Sequence, residues 1–278
     1  MCLWAHLREM NLAERYQPTL ELAHAYSSHA PAMSVISGFT GGLISGFKRG
    51  MTYARKSLNI RKEFRDLWGQ GQSHHYSGIL LYTESHFTQC IETCRESLRL
   101  LERTGDFWEL HTARYQVAAS LYRLGDMQGA IEECKRNHRS GLELGDEQAS
   151  GIILSVWSRA SEGALPKEIV ARELARDRKD PQSIVQVWLA EGVRRLGSGQ
   201  VEEAAELLEQ AVKIIKETHV KTVYTAPTLA WLATCRRQQV ERCSRMSPKR
   251  RKKLLRLAVS AARDALRTAC ITRNDIPR

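Results

Sequence analysis

The chain has 278 residues, is 42% hydrophobic and 26% charged, and contains only seven prolines, a make-up close to that of folded globular domains and unlike a disordered chain. No run reaches the roughly 18 uncharged apolar residues of a membrane helix; the best stretch, Ala32 to Phe47, is short and rich in glycine and serine. Met1 to Glu9 lacks the basic start, apolar stretch and small-residue cleavage site of a secretory signal, so a cytoplasmic location is expected. The net charge of +11 suggests nucleic acid, but Arg236 to Arg278 holds fourteen Lys and Arg against three acids, so residues 1 to 235 sum to zero. The basic character therefore belongs to one segment.

In chain order, residues 1–29 read as an N-terminal helical segment. A first unit over 30–66 carries small residues at Gly38, Gly50, Ala54 and Ser57, with a second helix from about Lys48 to Phe64. The next two units, 67–106 and 107–146, share one pattern. An apolar helix with small residues (Ser73 to Tyr82; Ala113 to Tyr122) leads through a turn to a second, charged helix (Phe87 to Arg103; Met127 to Leu144). In Leu124-Gly125-Asp126 the glycine suits the left-handed end of one helix and the aspartate the cap of the next.

A weaker unit covers 147–180, with its helical pattern from Gly151 to Arg176 and Pro166 in the first turn of its second helix, where the missing amide proton does no harm. Residues 181–224 form a unit whose turn, Leu196 to Gln200, precedes a stripe of Ala205, Leu208, Val212 and Ile215 on one helical face. The last unit, 225–278, has a first helix from Pro227 to about Arg245, a break at Met246-Ser247-Pro248, and a basic second helix. The chain stops at Asn274 to Arg278, where a further first helix should begin, so the sequence is expected to be a piece of a longer array or the tail of a truncated multidomain protein.

Self-similarity at forty residues ties these units together. Asp66, Asp106 and Asp146 mark the register, Trp68 and Trp108 follow the first two by two positions, and Ser57-Leu58 returns as Ser97-Leu98. After two of the turns, GDMQGAIEEC superposes on GQVEEAAELL and aligns Ala130 with Ala204. In Trp188, Gly192, Ala204, Leu208 and Ala211, in Ala118, Leu121, Ala130 and Cys134, and in Gly78, Leu81, Cys90, Cys94 and Ser97, the chain resembles the tetratricopeptide repeat (TPR) family. The family's proline at the repeat end is absent. That departure and the forty-residue period resemble the longer-helix variant in the arms of bacterial signal-transduction ATPases, LuxR-type activators and cyclase or kinase fusions. The resemblance covers about residues 30 to 270 and implies an all-α solenoid, a right-handed superhelix of about six helix-turn-helix repeats. It also implies that Gly78, Cys90, Ala118, Ala130, Trp188, Gly192 and Ala204 serve packing between helices.

Signs of chemistry are sparse. The glycines of Gly38-Phe39-Thr40-Gly41-Gly42 and Ser45-Gly46 lack a following Gly-Lys-Ser/Thr and a preceding strand, so close helix packing is the reading. Trp68-Gly69-Gln70-Gly71 fails the dinucleotide fingerprint on the same grounds. Seven unframed cysteines predict reduced thiols, and Cys90 with Cys94 shares a helix face but has no second pair for zinc. His74 and His75 point about 100° apart and cannot form an i, i+4 metal pair, while His111 stands nearly one repeat on. Trp68 and Trp108 have two readings, packing at repeat junctions or stacking on a ligand. No catalytic residue, cofactor or metal is expected.

The resemblance implies a protein-interaction scaffold whose concave groove, lined by first helices, receives a peptide, a partner helix or a neighbouring domain. The register places His74, Ser77, Arg114, Glu191 and Arg195 along that groove. A second reading is the regulatory arm of a signalling enzyme, such as a cyclase, kinase or STAND ATPase, whose catalytic domain lies elsewhere. The run Lys249-Arg250-Arg251-Lys252-Lys253 opens a helix continued by Leu254, Leu255, Leu257, Ala258, Ala261, Ala262, Ala265 and Leu266. Five cations at a helix N-terminus oppose the helix dipole, which points to an acidic protein surface, anionic lipid or nucleic acid as their partner, or to a solvated basic loop.

Overall fold

The computed structural model describes residues 2–39, 46–242 and 248–272. Among them the structure is helical, with helices joined by turns, and it divides into two compact units, Met1–Gly125 and Asp126–Arg278. Gly41, Gly42 and Ser45 of the glycine-rich stretch, the break at Met246-Ser247, Cys243 and the end segment Asn274 to Arg278 lie outside the described residues.

The first unit holds α1 (Cys2–Ala13), α2 (Leu20–Phe39), α3 (Gly46–Glu63), α4 (Leu67–Thr83), α5 (Phe87–Thr104) and α6 (Phe107–Leu124). Consecutive helices pack as hairpins, α2 on α3 and α4 on α5, while the first helices α2, α4 and α6 also touch in sequence. α2 starts at Leu20 and runs through Ala30, so the expected boundary between an N-terminal segment and the first repeat falls inside a helix. Its start is fixed by Thr19, whose hydroxyl oxygen accepts the Leu22 amide at 3.2 Å.

The forty-residue marks are capping residues. Asp66 accepts the Gly69 amide at 2.9 Å and Asp106 the Glu109 amide at 3.0 Å, each filling one of the donors left open at a helix start. Small residues bring the hairpins together. A methyl group on Gly78 would overlap the Cys94 sulfur, and Cys90, Cys94 and Ala118 are fully buried. The hydroxyls of Ser27, Ser57 and Ser73 bond one another at 2.7 to 3.1 Å and tie α2, α3 and α4 through a buried polar point.

The second unit holds α7 (Met127–Glu143), α8 (Glu147–Ile152), α9 (Leu154–Ala160), α10 (Lys167–Leu174), α11 (Pro181–Gly197), α12 (Val201–Thr218), α13 (Ala226–Arg242) and α14 (Pro248–Thr272). Asp126 and Asp146 cap α7 and α8 by accepting the Gly129 and Ala149 amides, both at 2.9 Å. The first helix over 147–160 is broken at Ile153, where the Ser155 hydroxyl takes the Ile152 carbonyl at 2.9 Å and the Val156 amide the Ile153 carbonyl at 3.0 Å. Pro166 stands at the start of α10.

Glu173 on α10 is wholly buried and is held by the guanidinium groups of Arg176 and Arg178 and by the Ser150 hydroxyl at 3.1 Å. Further on, α11, α12, α13 and α14 share a core that includes Leu189, Val193, Ala204, Leu208, Leu232 and Ala261. Gly192 permits the closest approach there, since a Cβ at this position would stand 2.6 Å from a Leu208 methyl. Ala204 and Ala130 are fully buried, and Trp188 packs on the cluster of Val185, Ala211 and Ile215.

Candidate interaction surfaces

In the first unit a polar chain crosses all three first helices. The Gln72 carbonyl oxygen is shared by His24 Nδ1 at 3.1 Å and the Arg61 guanidinium at 3.0 Å, while its amide donates to Glu109 Oε1 at 3.0 Å. His75 Nδ1 approaches Glu109 Oε2 at 2.5 Å, and Arg61 also pairs with Asp66 at 2.9 Å. The Tyr76 hydroxyl bonds the same Glu109, and burial together with that carboxylate pushes Tyr76 up to about 12. Arg61, Gln72, His75 and Glu109 are all buried. With donors from Gln72, His75 and Tyr76, the Glu109 carboxylate is saturated, so this constellation joins helices. No sequence spacing announces it, because its members sit on four helices.

His74 is half-buried; burial lowers its pKa, opposed by Glu96 and assisted by Lys62 and Arg99, so the charges acting on it stand on the second helices α3 and α5. Arg114 pairs with Glu102 of α5 at 3.5 Å and keeps only an edge exposed. The Ser77 hydroxyl donates to the Ser73 carbonyl at 2.7 Å. In the second unit Glu191 is buried and accepts from Arg194 at 2.6 Å and Arg195 at 2.7 Å, and Arg195 reaches Glu203 of α12 at 3.2 Å. The i+3 and i+4 spacing of Glu191, Arg194 and Arg195 is a pairing signal legible in sequence.

Among the described residues Cys90, Cys94, Cys134 and Cys235 are buried free thiols and Cys270 is exposed. The Cys94 thiol hydrogen-bonds the Cys90 sulfur, which lowers Cys90 and, with burial, raises Cys94 well above its ordinary value. Burial likewise raises Cys134, and Cys235 to about 12. Among the described residues no group of three or more His, Cys, Asp or Glu side chains is placed to hold a metal, and no helix is long and apolar enough to cross a membrane.

The basic run occupies the opening turns of α14, with Lys249, Arg250, Arg251, Lys252 and Lys253 all exposed. The far side of that helix packs on α13 through Ala261 and Thr268. The buried small residues, the Asp-capped turns and the consecutive helix pairs define a TPR-type repeat fold, an all-α array of helix-turn-helix units.

No family model and no curated protein sequence matches the chain. Among solved structures, it is similar to a Podosopora anserina protein described as a kinesin light chain with nearly identical TPR-like repeats. The identity is 13%, the match covers 86% of this chain and 95% of that one, and the TM-score is 0.37. A Q17M form of that protein matches with the same values.

Proposed function

We propose that the chain is a non-catalytic protein-interaction scaffold whose first helices offer the binding face for a peptide, a helix or a neighbouring domain. The observation that carries this reading is the direct succession α2, α4, α6 in the first unit, which sets equivalent positions of successive repeats side by side. A face built in this way suits an elongated ligand, whose contacts repeat as the helices do. Of the positions assigned by register, Ser77, Arg114 and Arg195 keep exposed edges. Glu191 serves to hold the two arginines, so its contribution is to position Arg195.

The test is affinity capture from a lysate with the full chain as bait, against a variant carrying Ser77→Ala, Arg114→Ala and Arg195→Ala. The scaffold reading expects bound proteins whose recovery falls in the variant while its thermal unfolding stays near that of the parent. Recovery of every partner at the parent level would remove the first-helix face from the account.

A further inference from the structure

α14 carries two apolar stripes, and its own fold uses only one. Leu254, Ala258, Ala261, Ala265 and Thr268 form its less exposed side, and Ala261 joins the core shared with α11, α12 and α13, with Ala265 packed against it. Leu255, Val259, Ala262 and Leu266 form a second stripe, and three of them are far from buried: Leu255 is 52% exposed, Val259 42% and Leu266 60%. Their spacings of four, three and four residues are those of alternating d and a positions in a heptad. At about 100° per residue the stripe is only about 60° wide.

The charges beside this stripe repeat with the same period. Lys249, Arg256 and Arg263 are seven residues apart and each follows a seam position, so all three occupy e positions. Lys252 extends the seam position of Val259 by one heptad towards the N-terminus. Leu255, Arg256, Val259, Ser260, Arg263, Asp264 and Arg267 line a shallow groove of about 410 Å³ beside the stripe. Among the described residues none of these cations is ion-paired. Asp264, the single acid of α14, lines the same groove but holds neither an e nor a g position and pairs with Lys216 of α12 at 3.8 Å.

We infer that this face of α14 docks an amphipathic helix of a partner protein that has a heptad apolar seam flanked by Glu or Asp. Flanking charges set partner choice in such seams, and an unbroken row of cations selects acids. A second copy of the chain does not meet the requirement, because the other flank of the seam carries Arg251, Ala258 and Ala265 and so offers no carboxylate. A bilayer fits less well. Interfacial helices present a broad apolar face, commonly about 100° wide, whereas a narrow a/d stripe is the mark of a helix-helix seam. This surface is separate from the first-helix face, and failure of either assignment leaves the other standing.

The test uses the full chain and two labelled synthetic helices of about three heptads, both with leucine at the seam positions, one flanked by glutamate and the other by lysine. The inference expects the glutamate helix to bind at least about tenfold more tightly by fluorescence anisotropy, the gap narrowing with salt. Arg256→Glu with Arg263→Glu should reverse the preference, and Leu255→Ser with Leu266→Ser should abolish binding of both helices while thermal unfolding is unchanged. Equal affinity for the two helices, no binding of either, or an unreversed preference in the charge-swapped protein would overturn it. So would co-sedimentation with phosphatidylserine vesicles, or retardation of a DNA duplex, by a chain that ignores both helices. Self-association of the chain through this face, lost in the Leu255→Ser, Leu266→Ser protein, would replace the partner with a second copy.

Discussion

The Trp68 indole donates to Asp106 Oδ2 at 2.6 Å, one full repeat further along the chain. Asp106 uses its other oxygen to cap α6, and the Arg61 guanidinium stacks over the Trp68 ring at 5.3 Å. One carboxylate thus starts a helix and ties it to the preceding repeat. Asp106→Ala removes both bonds and should destabilise the chain by about 2 kcal/mol in urea unfolding, whereas Asp106→Asn, which still caps, should lose about half as much. Equal losses in the two variants would show that the indole bond and the cap are not the terms that matter.

Left-handed backbone recurs with the same register, but the residues that adopt it do not. Gly105 and Gly145 precede their capping aspartates at φ of 76° and 72°, while the equivalent position before Asp66 holds Arg65 at φ of 54°. Ser85 at φ of 64° likewise stands where the next repeat has Gly125 at 87°. A non-glycine residue pays about 1 kcal/mol for that conformation, partly offset by the greater freedom glycine loses on folding. Arg65→Gly and Ser85→Gly should therefore each stabilise by about 0.5 kcal/mol, seen as a rise in melting temperature of about 1 to 2 °C. His86, which follows Ser85 and makes no side-chain cap, should gain about 1 kcal/mol more as His86→Asp. A fall in melting temperature for the glycine variants would mean that the Arg65 and Ser85 side chains contribute more than their strain.

These comparisons also mark what was legible in the sequence. Helix ends were, because capping is decided by residues within three positions of each other: Gly125 with Asp126 is enough to close one helix and open the next. The start of α2 escaped because it is set by Thr19 within an unpunctuated stretch, and the break at Ile153 because no proline or capping residue stands there. Side-chain partnerships across repeats were not legible. The saturation of Glu109 by Gln72, His75 and Tyr76 depends on how α4 meets α6, and the half-buried place of His74 near α3 and α5 on a rotation of α4 that a repeat register leaves open.

Close approach at Gly192 gives a packing prediction. Its Cβ would stand 2.6 Å from one Leu208 carbon and 2.7 Å from another, and Leu208 is fully buried among α11, α12 and α13. Gly192→Ala should cost about 1 to 3 kcal/mol from overpacking despite alanine's better helix propensity. Leu208→Val, which trims the obstructing side chain, should cost about 1 kcal/mol alone. Together they should cost less than the sum of the two, and a double-mutant cycle by chemical denaturation measures the difference. Strict additivity would place the Gly192 constraint elsewhere.

Glu191 supplies a pH dependence with a definite sign. Burial alone would raise its carboxyl, but hydrogen bonds and charge from Arg194 and Arg195 outweigh burial and hold it below the ordinary 4.5. A carboxylate whose folded pKa is depressed contributes stability that is complete above the unfolded value and disappears as pH falls from there through the folded one. Glu191→Gln should therefore lose about 2 kcal/mol near pH 7, where the charge-assisted bonds to the two arginines are intact. The gap between parent and variant should shrink as the pH drops below 4.5 and the parent itself protonates. Urea midpoints of both proteins across that interval decide the matter: a gap that stays constant into acid would assign Glu191 a packing role and release Arg194 and Arg195 from dependence on its charge.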